Sequence, residues 1–449
     1  VFCKLHDDSC GFFVCHRHYK RKPKMRLWIG IAVFASVLGL ALAAHAQSSG
    51  VQGLDRGAAL ALALEQNPRL SAALARIERA KGERLQASLM PNPQAVLEVE
   101  NFGGEDEQGG FDGAETTFGL EQEIEIAGKR RKRTEVADYG FHIVRQQAIA
   151  EALSVLAEAD YTFMRVAIAQ ERLALAEKRL ALADETHETV KRRVSAAAAS
   201  DIQHTKADIE QSAAKLEKSK AEAELAEAQS ILGSLLGTPG DMQVQAALEG
   251  LPALPDKQSL LDAVRNTPQA RAGAFAKRQA ISQLDLAKAQ GVPNPTFGLG
   301  VRRFNENGNT AFLASLSFPL PVFNRNQGSI TAARAGIIEA DAQTRQLDLD
   351  LRQSAIAAWE KLVSAHKEAQ AYQGDMVPSA ERAYAQASNG YGAGRFSFLD
   401  LLDAQRTLYE IQEERLDSLL ALYEARSQID FLMKTHEPLI KNIIDGDKE

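Results

Sequence analysis

The chain has 449 residues, 52 Lys and Arg against 59 Asp and Glu, a formal net charge of −7, and 3 cysteines. That length gives room for two or three ordinary domains, and an acidic balance makes a poor nucleic-acid binder. Composition alone points no further than a soluble-looking, helix-rich chain.

The N-terminal stretch narrows this. Residues 1–24 read as an upstream extension ahead of Met25, and residues 25–46 as a secretory signal peptide: Arg26, an apolar run from Leu27 to Ala44, and a small-x-small cleavage pattern ending at Ala46. Cys3, His6, Cys10, Cys15, His16 and His18 have the look of a zinc cluster, but all precede that leader, so no functional metal site is expected from them. Removing residues 1–46 would take away every cysteine and leave 45 basic against 57 acidic residues, a net charge of −12. No later stretch approaches the ~18 continuous apolar residues of a membrane helix.

The remainder repeats itself. The first copy, 47–236, runs through Asn67-Pro68, a polar helical segment, Pro91-Asn92-Pro93, strands over about 94–126 and a long helical hairpin over about 130–236. A Gly- and Pro-rich linker, or equatorial segment, covers 237–258. The second copy, 259–434, has Thr267-Pro268, Pro293-Asn294-Pro295, strands over about 295–319 and a hairpin over about 325–434, followed by a tail, 435–449.

Each Pro-Asn-Pro ends a helix and turns the chain extended. Beyond it the residues alternate. Phe118, Leu120, Ile124 and Ile126 fall opposite Thr117, Gly119, Glu121, Glu123 and Glu125; Phe297, Leu299 and Val301 fall opposite Thr296, Gly298, Gly300 and Arg302; Ala95, Leu97 and Val99 interleave with Glu98 and Glu100. Segments of this length suit tilted strands crossing an outer membrane, although periodicity alone fits a half-buried soluble sheet equally well. Four strands with two free edges make a poor membrane solution unless several subunits close them.

The helical patterns are very long. Residues 130–193 hold no proline and one glycine, and at ~1.5 Å per residue they span ~96 Å. In the second copy Leu351, Ala355, Ala358, Leu362, Ala365, Ala369 and Tyr372 follow a coiled-coil period in which alanines permit close helix approach. A plain coiled-coil interaction protein would account for these helices but not for the duplicated strand pairs.

With those parts placed, the chain resembles the outer membrane factor family of efflux ducts. The resemblance runs from about Leu54 to Met433 and rests most on Val99-Glu100-Asn101-Phe102-Gly103-Gly104, on Gln122-Glu123-Ile124-Glu125-Ile126-Ala127-Gly128-Lys129-Arg130, and on Phe318-Pro319-Leu320-Pro321-Val322-Phe323-Asn324-Arg325-Asn326. These stretches look most like the cobalt-zinc-cadmium resistance branch of the resistance-nodulation-division (RND) systems. The resemblance implies a mostly α chain with membrane β, in which the duplicated unit trimerises into a 12-stranded barrel and an α-helical periplasmic tunnel. It also implies passive conduction of divalent metal cations across the bacterial outer membrane, with outer-membrane lipid, a periplasmic adaptor and an inner-membrane RND pump as partners. Multidrug efflux and type I protein secretion are alternative cargoes for the same duct.

The segment Tyr391 to Ala404 resembles the family's periplasmic tip. By that resemblance Asp400 and Asp403 form the gate and selectivity constriction, while Tyr391, Gly394, Arg395, Ser397 and Leu399 face the adaptor. Arg395 is displaced by one position from the arginine of some family members. The alternative for the two aspartates is a helix start favoured by the dipole. Glu98, Glu100, Glu121, Glu123 and Glu125 are expected to face the lumen as an acidic, cation-favouring wall, or simply to keep that face soluble. His187 and His204 flank the first tip and could face each other, but without carboxylate or thiol company they read as ordinary surface residues. No nucleophile elbow, phosphate loop or zinc-protease motif occurs after the leader, so neither enzyme activity nor a cofactor is expected.

Overall fold

A computed structural model describes residues 53–103, 110–238, 240, 242–248 and 250–444. The signal peptide, the N-terminal Cys/His cluster and the tip of the first strand connection lie outside these residues. Among the described residues no helix is long and apolar enough to cross a membrane.

The element order is one unit written twice. In the first copy, α1 (Arg56–Gln66) and α2 (Pro68–Ser88) lead into β1 (Gln94–Glu100) and β2 (Glu115–Glu123), then α3 (Lys129–Ser195) and α4 (Asp201–Leu236). In the second, α5 (Lys257–Val264) and α6 (Pro268–Gln290) lead into β3 (Thr296–Phe304) and β4 (Thr310–Ser317), then α7 (Gln327–Ala371), a π-helical turn (Tyr372–Met376), α8 (Val377–Gly392) and α9 (Phe398–Met433). A short α10 (Glu437–Ile444) follows. The junctions match as well: Asn67 caps α2 and Thr267 caps α6, each just ahead of a proline whose missing N–H costs nothing there.

The four strands form one antiparallel sheet in the order β1-β2-β3-β4, so the copies join through β2 and β3. The register, Leu97 opposite Phe118, Phe118 opposite Val301 and Val301 opposite Phe312, gathers the large apolar side chains on one face. None of the described residues covers that face: Leu97 is 70% exposed, Leu316 66% and Phe312 91%. Strand β2 ends at Glu123, earlier than its alternation implies. Ile124 still donates its N–H to Pro295 O at 2.9 Å, but Ala127 and Gly128 then take left-handed conformations that turn the chain into α3.

The Pro-Asn-Pro asparagine secures this corner. Asn294 donates to Glu123 Oε1 at 2.6 Å and accepts from Lys129 Nζ at 2.6 Å. At the matching corner of the second copy, left-handed Asn326 donates to Ala287 O at 2.7 Å. The first corner thereby ties strand to long helix, and the second ties long helix to short helix.

Helix α3 has 67 residues, about 100 Å at ~1.5 Å per residue. It packs against α4 through a heptad seam of small residues, Ala176, Ala183 and Val190 against Ala207, Ala214, Ala221 and Ala228, all buried. The second copy builds its seam from Ala355, Ala358, Leu362, Ala365 and Ala369 on α7, with Leu416, Leu419, Leu422 and Ile429 on α9. There the long helix is interrupted by the π turn just ahead of Pro378. A proline cannot donate to the residue four back and crowds its carbonyl, and a widened turn absorbs that mismatch.

Arg172 joins the copies. From α3 it reaches Glu224 on α4 at 2.9 Å, Glu413 on α9 at 3.1 Å, and Asp417 one turn further along α9. Its guanidinium is largely sheltered from solvent and so is Glu413, whereas Glu224 and Asp417 are open to water, so Arg172→Ala chiefly strands Glu413. The expected cost is about 1–3 kcal/mol, read as a lower thermal midpoint of helical circular dichroism. Ala214→Leu should also lower the midpoint, by overpacking the seam, with a cost of about 1–3 kcal/mol; an unchanged midpoint would mean the seam has slack.

Candidate functional site

Two places carry the polar chemistry: the polar face of the sheet and the far ends of the helical hairpins. On the sheet, Glu98, Glu100, Glu121 and Glu123 share the face opposite the large apolar side chains, together with Gln94 and Glu115. Glu125 does not join them. It lies past the end of β2 and accepts from Arg133 at 2.5 and 3.2 Å, while Arg133 also donates to Ala87 O and Leu89 O. Glu125 is a corner residue whose partner sits eight positions ahead, on the next helix.

Nor is the remaining wall uniformly acidic. Arg302, on the same face of β3, lies 2.6 Å from Glu100 and 2.9 Å from Glu115, and it donates to Thr117 Oγ1 at 2.9 Å. The Glu100 contact is close without the alignment of a hydrogen bond. Glu98 and Glu121 carry no ion pair among the described residues, and the Glu123 carboxylate accepts only from the neutral Asn294 amide, so uncompensated charge rests on these three.

The two hairpin ends use one turn. In the second, Gly394 is left-handed (φ 69°) and donates to Tyr391 O at 3.0 Å, while Arg395 donates to Gly390 O at 2.8 Å. This is the Schellman closure of a helix. In the first, Ala197 takes the left-handed position (φ 57°), donating to Val194 O at 2.9 Å, and Ala198 donates to Arg193 O at 2.7 Å. Three residues beyond each left-handed position a serine, Ser200 or Ser397, occupies the N-cap position of the following helix, though only Ser397 makes a side-chain cap. An alanine is strained where the glycine is not. Ala197→Gly should therefore raise the thermal midpoint, with a gain of up to about 1 kcal/mol.

At the second tip the caps are complete. Ser397 Oγ accepts from the Asp400 amide at 3.2 Å, while Asp400 Oδ2 accepts from the Ser397 amide at 2.8 Å and from its hydroxyl at 2.7 Å. This is a capping box. The Ser397 hydroxyl first, then its amide, hold the Asp400 carboxyl below the ordinary carboxylate range. A depressed folded pKa contributes stability above the unfolded value and loses it as pH falls through the folded one. Exchange protection of the first turn of α9 should accordingly weaken only in acid. Asp400→Asn should flatten that dependence; a tip equally acid-sensitive without Asp400 would place the titrating group elsewhere.

Asp403, one turn on, is exposed and has no partner among the described residues. Arg395 and Leu399 are exposed. Tyr391 is half-buried: its ring lies 5.9 Å from Phe398, and Arg193 from the first hairpin sits 5.0 Å over it. Phe398 and Leu402 pack with Val190 and Ala207, so the two tips share one small apolar plug.

Phe396 escapes the alternation rules used above. Its ring lies where a Cβ on Gly390 would be, 2.1 Å from that position, so Gly390 is a seat for the aromatic. The glycine six residues before an aromatic inside a turn was the available signal. His187 and His204 do meet, with ring centroids 5.2 Å apart, and they have carboxylate company after all: Asp208, one turn beyond His204, stands between them.

Comparison with known proteins agrees with this construction. The outer membrane efflux protein model matches residues 59–238 and 260–433, one block for each copy of the unit. The chain is 30% identical over 380 residues to the cobalt-zinc-cadmium resistance protein CzcC of Cupriavidus metallidurans, covering 84% of this chain and 89% of that one. It is 27% identical over 302 residues to the nickel and cobalt resistance protein CnrC of the same organism, covering 65% and 70%. Among solved structures, its fold is similar to a membrane protein from Pseudomonas aeruginosa, with TM-score 0.72, 18% identity and coverage of 86% and 94%. It is also similar to the outer membrane protein VceC of Vibrio cholerae, with TM-score 0.66, 18% identity and coverage of 84% and 95%. With both copies of the hairpin unit inside the matched residues, the chain belongs to the outer membrane efflux protein family and is an outer-membrane efflux channel.

Proposed function

We propose that three copies of this chain close into a 12-stranded barrel, continued by a helical tunnel, that conducts divalent heavy-metal cations passively out of the periplasm. The single observation that carries the reading is the uncovered sheet: an apolar face open to its surroundings, a polar face opposite, and a free edge at both β1 and β4. In hydrocarbon an unpaired strand edge costs several kcal/mol per exposed backbone group, and other copies of the same edge remove it. Exposed Ile202, Ile209 and Leu216, seven residues apart along α4, supply an apolar stripe by which neighbouring helices can pack. The metal cargo rests on the likeness to CzcC and CnrC, named for resistance to cobalt, zinc, cadmium and nickel.

In this reading the duct catalyses nothing. An inner-membrane RND pump supplies the energy, and a periplasmic adaptor docks at the tips through Tyr391, Gly394, Arg395, Ser397 and Leu399. Asp403 and Asp400, repeated around the axis, line the entrance with carboxylates, while Glu98, Glu121 and Glu123 favour cations further along. Asp403 carries the larger share, since its charge is not committed to a cap.

Single-channel recording of the purified protein in planar bilayers tests the gate. Asp403→Asn, and more strongly Asp400→Asn with Asp403→Asn, should lower cation-over-anion selectivity, the asparagine at 400 keeping the cap. Selectivity and conductance equal to wild type would remove both residues from the constriction. A molar mass below three chains in detergent would remove the closed barrel. Expression beside a metal-type pump and adaptor in a strain lacking its own duct should restore growth on zinc, cobalt or cadmium; restored drug tolerance alone would assign another cargo.

A further inference from the structure

We propose that His187, His204 and Asp208 form a binding site for one divalent transition-metal ion of the zinc class near the tip of the first helical hairpin. His187 lies on α3 about two turns before its end; His204 and Asp208 lie one turn apart on α4. The turn between the helices folds them back so that the three side chains meet. His187 Nε2 stands 2.7 Å from Asp208 Oδ1, and His204 Nδ1 stands 2.9 Å from Asp208 Oδ2. The rings meet edge to face, and one ligand atom from each residue lies within 4.8 Å of the other two. In a tetrahedral zinc site with bonds of about 2.0–2.2 Å, ligand atoms are about 3.3 Å apart. The separations of 2.7 and 2.9 Å seen here lie close to that spacing.

The donor chemistry is that of a zinc-class ion. Two imidazoles and one carboxylate make a borderline set suited to zinc, cobalt or nickel, and three protein ligands leave a fourth position for water. The surroundings of His187 point the same way. Its Nδ1 is buried without a hydrogen-bond partner, with Glu188 Oε1 3.6 Å away. While Nε2 donates its proton to Asp208, Nδ1 is a buried acceptor with nothing to accept. A metal on Nε2 moves the proton to Nδ1, where Glu188 is placed to receive its hydrogen bond, the outer carboxylate common behind metal-bound histidines.

Charge separates this cluster from another group of similar composition. Asp160, Asp430 and His436 also lie close together, but Arg56 already pairs with Asp160 and Arg426 with Asp430. Among the described residues no lysine or arginine pairs with Asp208; its charge faces only imidazoles. The site also adjoins the apolar plug between the hairpins, since Val190 and Ala207 lie one turn from His187 and His204. An ion here clasps α3 to α4 at the base of that contact. It is defined by this chain's own side chains and stands whichever cargo the duct carries.

The test uses the full-length protein in detergent, stripped with chelator and titrated with Co²⁺ and then Zn²⁺. One cobalt per chain is expected, with the visible absorption of a low-coordinate ion that zinc abolishes. His187→Ala, His204→Ala and Asp208→Asn should each weaken binding by at least about 10-fold, whereas His436→Ala should leave it unchanged. Hydrogen exchange across residues 187–208 should slow on zinc addition in the wild type and not in His204→Ala. All three residues are part-exposed, so helical circular dichroism and elution volume should be unaltered in the variants. Binding by the His187→Ala, His204→Ala double variant equal to wild type, loss of binding in His436→Ala instead, or no stoichiometric binding by the wild type would each overturn the site.

Discussion

A β-strand inside hydrocarbon has nowhere to leave an unpaired N–H or C=O, and this constraint organises the chain from end to end. The sheet satisfies it along β2 and β3, which pair on both sides, and leaves it unsatisfied along β1 and β4, the two outer strands. Its apolar face, uncovered by any described helix of the same protomer, is the side that lipid can cover without further cost. In the proposed barrel, further copies supply the missing partners of these two edges. Because the strands pass directly into the long helices through the Asn294 and Asn326 corners, whatever closes the sheet also arranges the helices around the same axis.

The helices answer a different demand, that of running far beyond any compact core while burying something along the way. Large side chains would hold two helices apart and leave each with a narrow contact. Alanine every seventh residue lets the backbones approach and spreads a thin, continuous contact along the length. The copies solve this differently where their sequences differ. α3 has no proline and runs unbroken, whereas Pro378 obliges its counterpart to widen into a π turn. The copies are also locked to each other by charge, since Arg172 of the first draws on Glu413 and Asp417 of the second.

Much of this was legible in residue order. The Pro-Asn-Pro stops, the alternation after them, the alanine heptads and the doubled order of features are local patterns, and local patterns survive folding. What was not legible depends on partners distant in sequence or on a turn that cancels a pattern. The alternation through Ile124 and Ile126 continues past the strand because the left-handed Ala127 and Gly128, not a change of residue type, end it. Glu125 keeps the spacing of a wall residue while Arg133 draws it into the corner. Arg302 was visible on the polar face, but its pairing with Glu100 and Glu115 needed the register of three strands. Asp208 was overlooked although it sits four residues after His204, a helical spacing that alone places it beside the imidazole.

The hairpin tips show how a duplicated turn acquires separate tasks. Both copies keep a left-handed residue followed three positions later by a serine at the N-cap position. The second copy places Asp400 at the third position of its helix, where the carboxylate closes a capping box, while the first places Gln203 there and lacks a side-chain cap. A capped helix start is a stiff one. Asp403 thus projects one turn beyond a helix start already held by Ser397, and its position is set by that cap rather than by a partner of its own. The first tip, held less firmly by its backbone turn, carries its polar contact one to two turns deeper, where Asp208 bridges the two imidazoles. The duplicated turn therefore carries a different polar device on each copy: a carboxylate fixed by its cap on the second, and on the first a carboxylate held between two imidazoles, the group proposed above to take a metal ion.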